Sequence, residues 1–325
     1  MNTKLPRLVI VTRPTPLDML VRRFGTVEQA KFYVESRGRS FERPQHAHEL
    51  QQRALDLVLR AIPPNQRRVQ LGREELDRFL FNPDDVILAV GQDGLVPNVA
   101  KYLHGQILIG FNPDFDSWPG VLCRHDPADA PKLIAWVNKR HADYEVEARA
   151  MVLATREDGQ MLPALNELFV GHMSHQSAKY RIRIGSGSFS RSEKVPEPLS
   201  EPPTEERHSS SGVIISTGTG ATGWTASITR QRGIADVLPR PTERCLTYMV
   251  REPWPSVATG TELDFGFLHE GDELELISEM EEGGVIFGDG IEGDFLEFNE
   301  GHTVKITLAK RTLNLVVPSE VEREA

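Results

Sequence analysis

Apolar residues along this chain fall into two rhythms. Up to about residue 143, short unbroken β-branched runs alternate with helical stretches. Leu8-Val9-Ile10-Val11, closing at Thr12, reads as a buried parallel strand, because a strand covered on both faces shows a continuous apolar run. Thr26 and Gln29 have capping-box spacing ahead of Ala30 to Glu35, which predicts a helix there. Leu50, Ala54, Leu57, Val58 and Ala61 fall on one face of a second helix, and Pro63-Pro64 ends it. Asp85 to Val90 is a second buried strand running into Gly91-Gln92-Asp93-Gly94. Pro97 to Leu103 suits a helix, and Ile107 to Gly110 a further strand. This βα alternation predicts an α/β, Rossmann-like domain over residues 1–143.

From Tyr144 the pattern changes to strands separated by turns. Val146 to Ala154, Leu165 to Val170, Tyr180 to Ile184, Val213 to Ser216 and Leu246 to Val250 all read as strands. So do Glu262 to Phe267, Glu273 to Ile277, Val285 to Phe287 and Val304 to Leu308. Gly, Asp, Glu and Pro clusters punctuate them, so residues 144–325 are expected to form a β-rich, β-sandwich-like domain. Gly185 to Ser211 is rich in Ser, Glu and Pro and nearly free of large apolar residues. It reads as a mobile insertion between two strands. Thr15 to Glu42 yields no functional reading beyond the helix its capping pattern implies.

Composition narrows the class. The 325 residues are 39% hydrophobic and 26% charged, ordinary for globular chains. A net charge of -10 argues against a protein built to hold nucleic acid, yet leaves room for phosphates bound by backbone N–H groups and Mg²⁺. Two cysteines, Cys123 and Cys245, stand far apart without CxxC spacing, against a disulfide framework or a cysteine zinc site. No apolar run reaches the length of a membrane helix or a signal h-region, so a soluble cytoplasmic protein is expected.

Three stretches carry candidate chemistry. Gly91-Gln92-Asp93-Gly94 sits at the end of a predicted parallel strand, where α/β sheets bind ligands. An Asp there could orient a hydroxyl or hold Mg²⁺; a plain turn is the alternative. Ile214-Ile215-Ser216 leads into a loop running from Thr217 through Gly218, Thr219, Gly220, Ala221, Thr222 and Gly223 to Trp224. A helix through Ala226 and Ser227 follows. Such a loop can cradle an anion, or serve only as a flexible link. It is not a Walker loop, since no Gly-Lys-Ser/Thr closes it. In Ala164-Leu165-Asn166-Glu167, an amide and a carboxylate stand side by side, suited to ribose hydroxyls or a carboxamide, or simply to a turn. His172 and His175 fall on opposite faces of a strand and read as exposed polar residues. Lys101, Arg149 and Arg183 read as surface charges, and Glu279, Glu281 and Glu282 as a solvated turn.

In this order these stretches resemble the NAD kinase family, whose pattern is GGDG, ALNE, a TPTGSTAY loop and a late Asp-Gly. Here they are GQDG at Gly91 to Gly94, ALNE at Ala164 to Glu167, TGTGATGW at Thr217 to Trp224, and Gly288-Asp289-Gly290. The resemblance spans about Asp84 to Val316. It implies an NAD kinase-like fold and transfer of a phosphoryl group from ATP or polyphosphate, with Mg²⁺, to the ribose 2′-hydroxyl of NAD(H). By it, Asp93 positions or deprotonates that hydroxyl; Asn166, Glu167, Thr222, Trp224 and Ser227 contact the dinucleotide. Gly91, Gly94, Thr217, Thr219, Gly220 and Asp289 border phosphates or nucleotide, no protein metal ligand is assigned, and the chain is a homo-oligomer.

The chain departs from the family pattern at several positions. Gln92 replaces a glycine and Leu95 a threonine. Pro113 follows Asn112 where a glycine-containing run is usual, and Ser211 stands for an aspartate. Trp224 replaces tyrosine, and Thr229-Arg230 replaces a glycine pair. These changes leave two other readings open: a kinase of the same fold with a lipid, sugar or nucleoside acceptor, and a nucleotide-binding sensor without turnover.

Overall fold

The first unit is built, in chain order, from β1 (Leu8–Thr12), α1 (Pro16–Phe24), α2 (Val27–Glu35), α3 (Glu42–Ala61), β2 (Arg68–Gly72) and β3 (Val86–Val90). Then come α4 (Leu95–Ala100), β4 (Ile107–Phe111), α5 (Ala130–Lys139) and β5 (Tyr144–Arg149). This computed structural model describes residues 5–117, 120–139, 144–185, 205–234 and 238–318. All of β3 and all but the last residue of β1 are buried, which is why they appear as unbroken apolar runs. The strand order is β2-β1-β3-β4, then the returning strand Leu313–Pro318, then β5. The pairings from β2 through to the returning strand are parallel. Leu8, Ile10, Leu88 and Val90 of the sheet pack against Ala54 and Val58 of α3 and Leu133 and Ile134 of α5.

Between β1 and α3 the chain forms a helical pair. Thr15 caps α1 in a reciprocal capping box with Asp18. Thr26 caps α2, its Oγ1 accepting the Gln29 N–H at 3.2 Å. Leu17, Ala30, Val34 and Phe41 give the pair a small core of its own. The capping pattern located α2 but not α1, whose nine residues hold only one buried side chain, Leu17.

The second unit contains β6 (Val152–Arg156), β7 (Met161–Ala164), β8 (Glu167–His172), β9 (Ala178–Ile184), β10 (Glu205–Ser210), β11 (Val213–Thr217) and α6 (Trp224–Gln231). It continues with β12 (Cys245–Val250), β13 (Phe265–His269), β14 (Leu274–Ser278), β15 (Gly284–Gly288), β16 (Phe295–Glu297) and β17 (Thr303–Leu308). Two six-stranded sheets result, β10-β9-β14-β17-β6-β7 and β13-β12-β11-β8-β15-β16, antiparallel throughout. Val152, Tyr180, Leu276 and Ile306 of one share a core with Leu168, Ile215, Tyr248 and Ile286 of the other. This is a β-sandwich.

The units divide the chain as Met1–Glu147 with Leu313–Ala325, and Ala148–Thr312. The returning strand, β18 (Leu313–Pro318), thus belongs to the first unit, because it pairs in parallel with β4 rather than with the sandwich. The run read as one strand over Val146 to Ala154 is broken between β5 and β6. The Ser/Glu/Pro segment is not all insertion. Its end forms β10, which pairs antiparallel with β9, while 186–204 lies outside the described residues. Lys101 and Arg149, expected at the surface, are buried at 7% and 3% exposure. Arg183 does stay at the surface, paired with Glu205 and Glu275. Glu279 is not simply solvated; it pairs with Arg181 and Arg207. Among the described residues, no helix is long and apolar enough to cross a membrane.

Candidate functional site

In the first unit, the GQDG turn closes β3. The Gly91 N–H donates to Phe111 O at 3.0 Å, while Leu95 N–H reaches Gln92 O at 2.8 Å and Val96 N–H reaches Asp93 O at 3.1 Å. The chain therefore turns straight from strand into α4, with Gly94 at the helix start. The buried amide of Gln51 holds Val90 O at 2.8 Å, anchoring the strand end to α3. The Asp93 carboxylate accepts three backbone N–H groups, from Val121 at 2.7 Å, Leu122 at 3.1 Å and Cys123 at 2.8 Å. These donors fix its orientation. Burial, and then the charge of Asp93, push the Cys123 thiol well above its ordinary range, so it is no nucleophile.

Sequence reasoning missed Arg13, the first residue beyond β1. Its Nη1 lies 4.0 Å from where a Cβ on Gly94 would stand, and its Cγ 3.8 Å from the same point on Gly91. The side chain is half-buried, and burial, with Arg73 second, lowers its pKa. Among the described residues no carboxylate pairs with Arg13. A guanidinium beside a glycine turn, at the carboxyl end of a parallel sheet, is a ready phosphate contact. The available signal was an arginine directly after a buried strand.

In the second unit, ALNE is the turn between β7 and β8, and three motifs lock together around it. Asp289, just past β15, adopts φ 56°, a left-handed conformation that Asp tolerates better than most residues. Its carboxylate accepts the Leu165 N–H at 3.1 Å and the Asn166 N–H at 2.7 Å, and its own N–H donates to Glu167 O at 3.0 Å. From β11, Thr217 N–H donates to Asn166 O at 2.9 Å and Thr217 Oγ1 donates to Leu165 O at 2.6 Å. Gly220 approaches so closely that a Cβ there would stand 2.4 Å from Asn166 O.

The Gly/Thr loop is partly self-satisfied. Thr217 Oγ1 accepts the N–H groups of Thr219 at 3.1 Å and Gly220 at 3.4 Å, so these two donors turn inward. Thr217, Thr219 and Gly220 are buried, whereas Thr222, Trp224 and Ser227 are exposed. Trp224 stacks on Phe169 at 5.8 Å between centroids and 17° between planes, and the Arg251 guanidinium lies 4.9 Å over the Trp224 ring. Phe169 and Arg251 also escaped sequence reasoning; one looks like an ordinary strand residue and the other like the residue after a strand until the sheet is assembled.

Glu167 is the perturbed acid of this cluster. Burial, and then the charge of Asp289, raise its pKa from 4.5 to about 7. Near neutrality it can both donate and accept hydrogen bonds, which suits a group facing hydroxyls or an amide. Among the described residues no three His, Cys, Asp or Glu side chains converge as a metal cage.

A parallel α/β unit with a glycine turn at its strand ends, joined to a two-sheet sandwich with a second glycine loop, is the two-domain architecture of the NAD kinases. No protein-family model matches the chain. In sequence it is similar to the rat (Rattus norvegicus) mitochondrial NAD kinase 2, 21% identical over 282 residues, which are 71% of this chain and 63% of the relative. The chain thus spans less than two thirds of that relative's length. In fold it is similar to yeast NADH kinase complexed with NADH (TM-score 0.58, 14% identity, 98% of this chain and 85% of that one). It is also similar to an Archaeoglobus fulgidus NAD kinase in complex with ATP (TM-score 0.55, 18% identity, 98% and 96%). The chain has the NAD kinase fold.

Proposed function

We propose that the protein is a kinase that transfers a phosphoryl group from ATP, or polyphosphate, to the ribose 2′-hydroxyl of NAD(H), giving NADP(H). The observation that carries this reading is the lock between Asp289, the Asn166–Glu167 turn and Thr217. Three motifs far apart in sequence are pinned by hydrogen bonds of 2.6–3.1 Å, from side chains and backbone alike, into one polar cluster. Within it, Glu167, with its pKa near 7, and Asn166 have the donors and acceptors that a dinucleotide requires. Gly94 and Arg13 border the phosphates of the donor. Asp93 orients the attacking hydroxyl, which suffices where catalysis rests on positioning and charge neutralisation. Mg²⁺ carried by the nucleotide phosphates would neutralise their charge. The resemblance further implies a homo-oligomer, which sedimentation would read.

The test is NADP formation from ATP or polyphosphate and NAD with Mg²⁺, for the wild type beside Asp93→Asn. Product from the wild type alone supports the reading. One observation favours a second reading, a nucleotide-binding protein without turnover: both Asp93 oxygens are already engaged by backbone N–H groups. NAD binding measured by thermal shift, with no product from any donor, would select it; at about 100 times its Kd, ligand should add roughly 2.7 kcal/mol.

A further inference from the structure

The helical pair between β1 and α3 carries a feature the proposed reaction does not use. A cavity of about 870 Å³ opens at the end of α1, the turn after α2 and the start of α3. Four arginines line it, Arg23, Arg37, Arg39 and Arg43, and no carboxylate does. Among the described residues none of the four forms an ion pair. Other cations of this region are neutralised: Arg22 pairs with Glu74, and Lys31 with Glu35. In a chain of net charge -10, four exposed arginines along one cavity without a counter-charge form a local field that an anion would relieve.

Two of the arginines are held in place by aromatic rings. The Arg37 guanidinium sits 3.8 Å over Tyr33, and Arg23 lies 5.6 Å from Tyr33 and 5.2 Å from Phe24. Stacking occupies their faces and leaves the N–H edges free to donate, the geometry by which guanidinium binds phosphate. Arg43 stands in the first turn of the twenty-residue α3, the positive end of that helix, where a cation is electrostatically misplaced. Glu42 shares that turn but does not line the cavity. The rest of the wall is mostly apolar, with Leu20 and Val34. The volume lies in the range of small-molecule sites rather than of a flat protein-binding face.

We infer that this cavity is a second ligand site, separate from the motif-bearing loops, for a phosphate-bearing small molecule with an apolar or aromatic body, the chemistry of a nucleotide. The phosphates meet the arginines and the body lies along Leu20 and Val34. The inference does not depend on the proposed reaction.

The test is arginine-selective modification of the full chain with phenylglyoxal, mapped by peptide mass spectrometry, with ATP or inorganic tripolyphosphate as separate probes. At about 100 times its Kd, ATP leaves roughly 1% of sites free, so modification of Arg37, Arg39 and Arg43 slows sharply. Arg13 serves as an independent reporter of the donor phosphates, so failure at one location is distinguishable from failure at the other. An Arg37→Ala/Arg43→Ala double variant loses one bound equivalent of ATP in equilibrium dialysis, whereas Arg13→Ala keeps that equivalent. Arginines protected by neither ATP nor tripolyphosphate at saturation overturn the inference. Protection by tripolyphosphate that ATP does not match overturns the nucleotide class.

Discussion

Asp93 Oδ1 accepts the backbone N–H of Cys123 at 2.8 Å, tying the GQDG turn to a segment thirty residues further along the chain. With the bonds from Val121 and Leu122, this makes Asp93 a structural clamp as well as the carboxylate expected at phosphoryl transfer. Asp93→Asn exchanges one accepting oxygen for an NH₂ facing backbone donors, and should cost about 1–3 kcal/mol of stability. At a temperature where both proteins are folded, NADP formation should still fall by about 10²-fold or more. Full activity in a folded variant would falsify the catalytic assignment.

Asp289→Ala removes the acceptor of two N–H groups and leaves the ALNE turn unpinned. The expected result is about 1–3 kcal/mol lower stability, with weaker NAD binding than the stability loss alone explains. Calorimetric titration with NAD on the folded variant checks this; unchanged affinity would remove the turn from the acceptor site.

Gly220→Ala places a Cβ 2.4 Å from Asn166 O and 2.6 Å from Ser216 Oγ, so the loop must move away from ALNE. A loss of about 1–3 kcal/mol is expected, read as a lowered denaturant midpoint with the slope unchanged. A variant as stable as wild type would mean that the close approach is not required.

Glu167 titrates in the working range. Its folded pKa of about 7 lies above the ordinary 4.5, so the native state binds the extra proton between those values. Stability from this group is therefore fully present below about pH 4.5, falls as pH rises to about 7, and is level above. The span corresponds to a stability change on the order of 3 kcal/mol. Glu167→Gln should flatten that slope in urea titrations; an identical pH dependence in both proteins would contradict the raised pKa.

Arg13→Ala should raise the KM for ATP by about tenfold or more, with the NAD KM little changed. Arg13→Lys should recover part of the loss, because the charge returns without the bidentate fork. Equal effects on both substrates would argue that Arg13 only supports the turn.

Much of the architecture was legible because burial on both faces writes itself as unbroken apolar runs. The strands read at Leu8 to Val11, Asp85 to Val90 and Ile107 to Gly110 lie within a residue or two of the strands observed. The change of rhythm near Tyr144 marked the passage to the sandwich. Helix α1 stayed hidden because it rests against only a small local core, and β10 because its solvated composition resembles a linker. Arg13, Phe169 and Arg251 were invisible as site residues, since nothing local distinguishes them from ordinary strand-end or strand positions.

By itself the sequence determined the class of each half, the glycine turns at strand ends and the order of the motifs. Those properties follow from local propensity and periodicity, which short stretches carry on their own. Only the tertiary structure decided that Leu313–Pro318 returns to the first sheet, that Asp289 holds the Asn166 turn, and that Asp93 is engaged by three amides. It also brought Arg23, Arg37, Arg39 and Arg43 to one cavity. Each of these joins residues distant along the chain through strand pairing, hydrogen bonds or close packing, and no local pattern encodes a partner that far away.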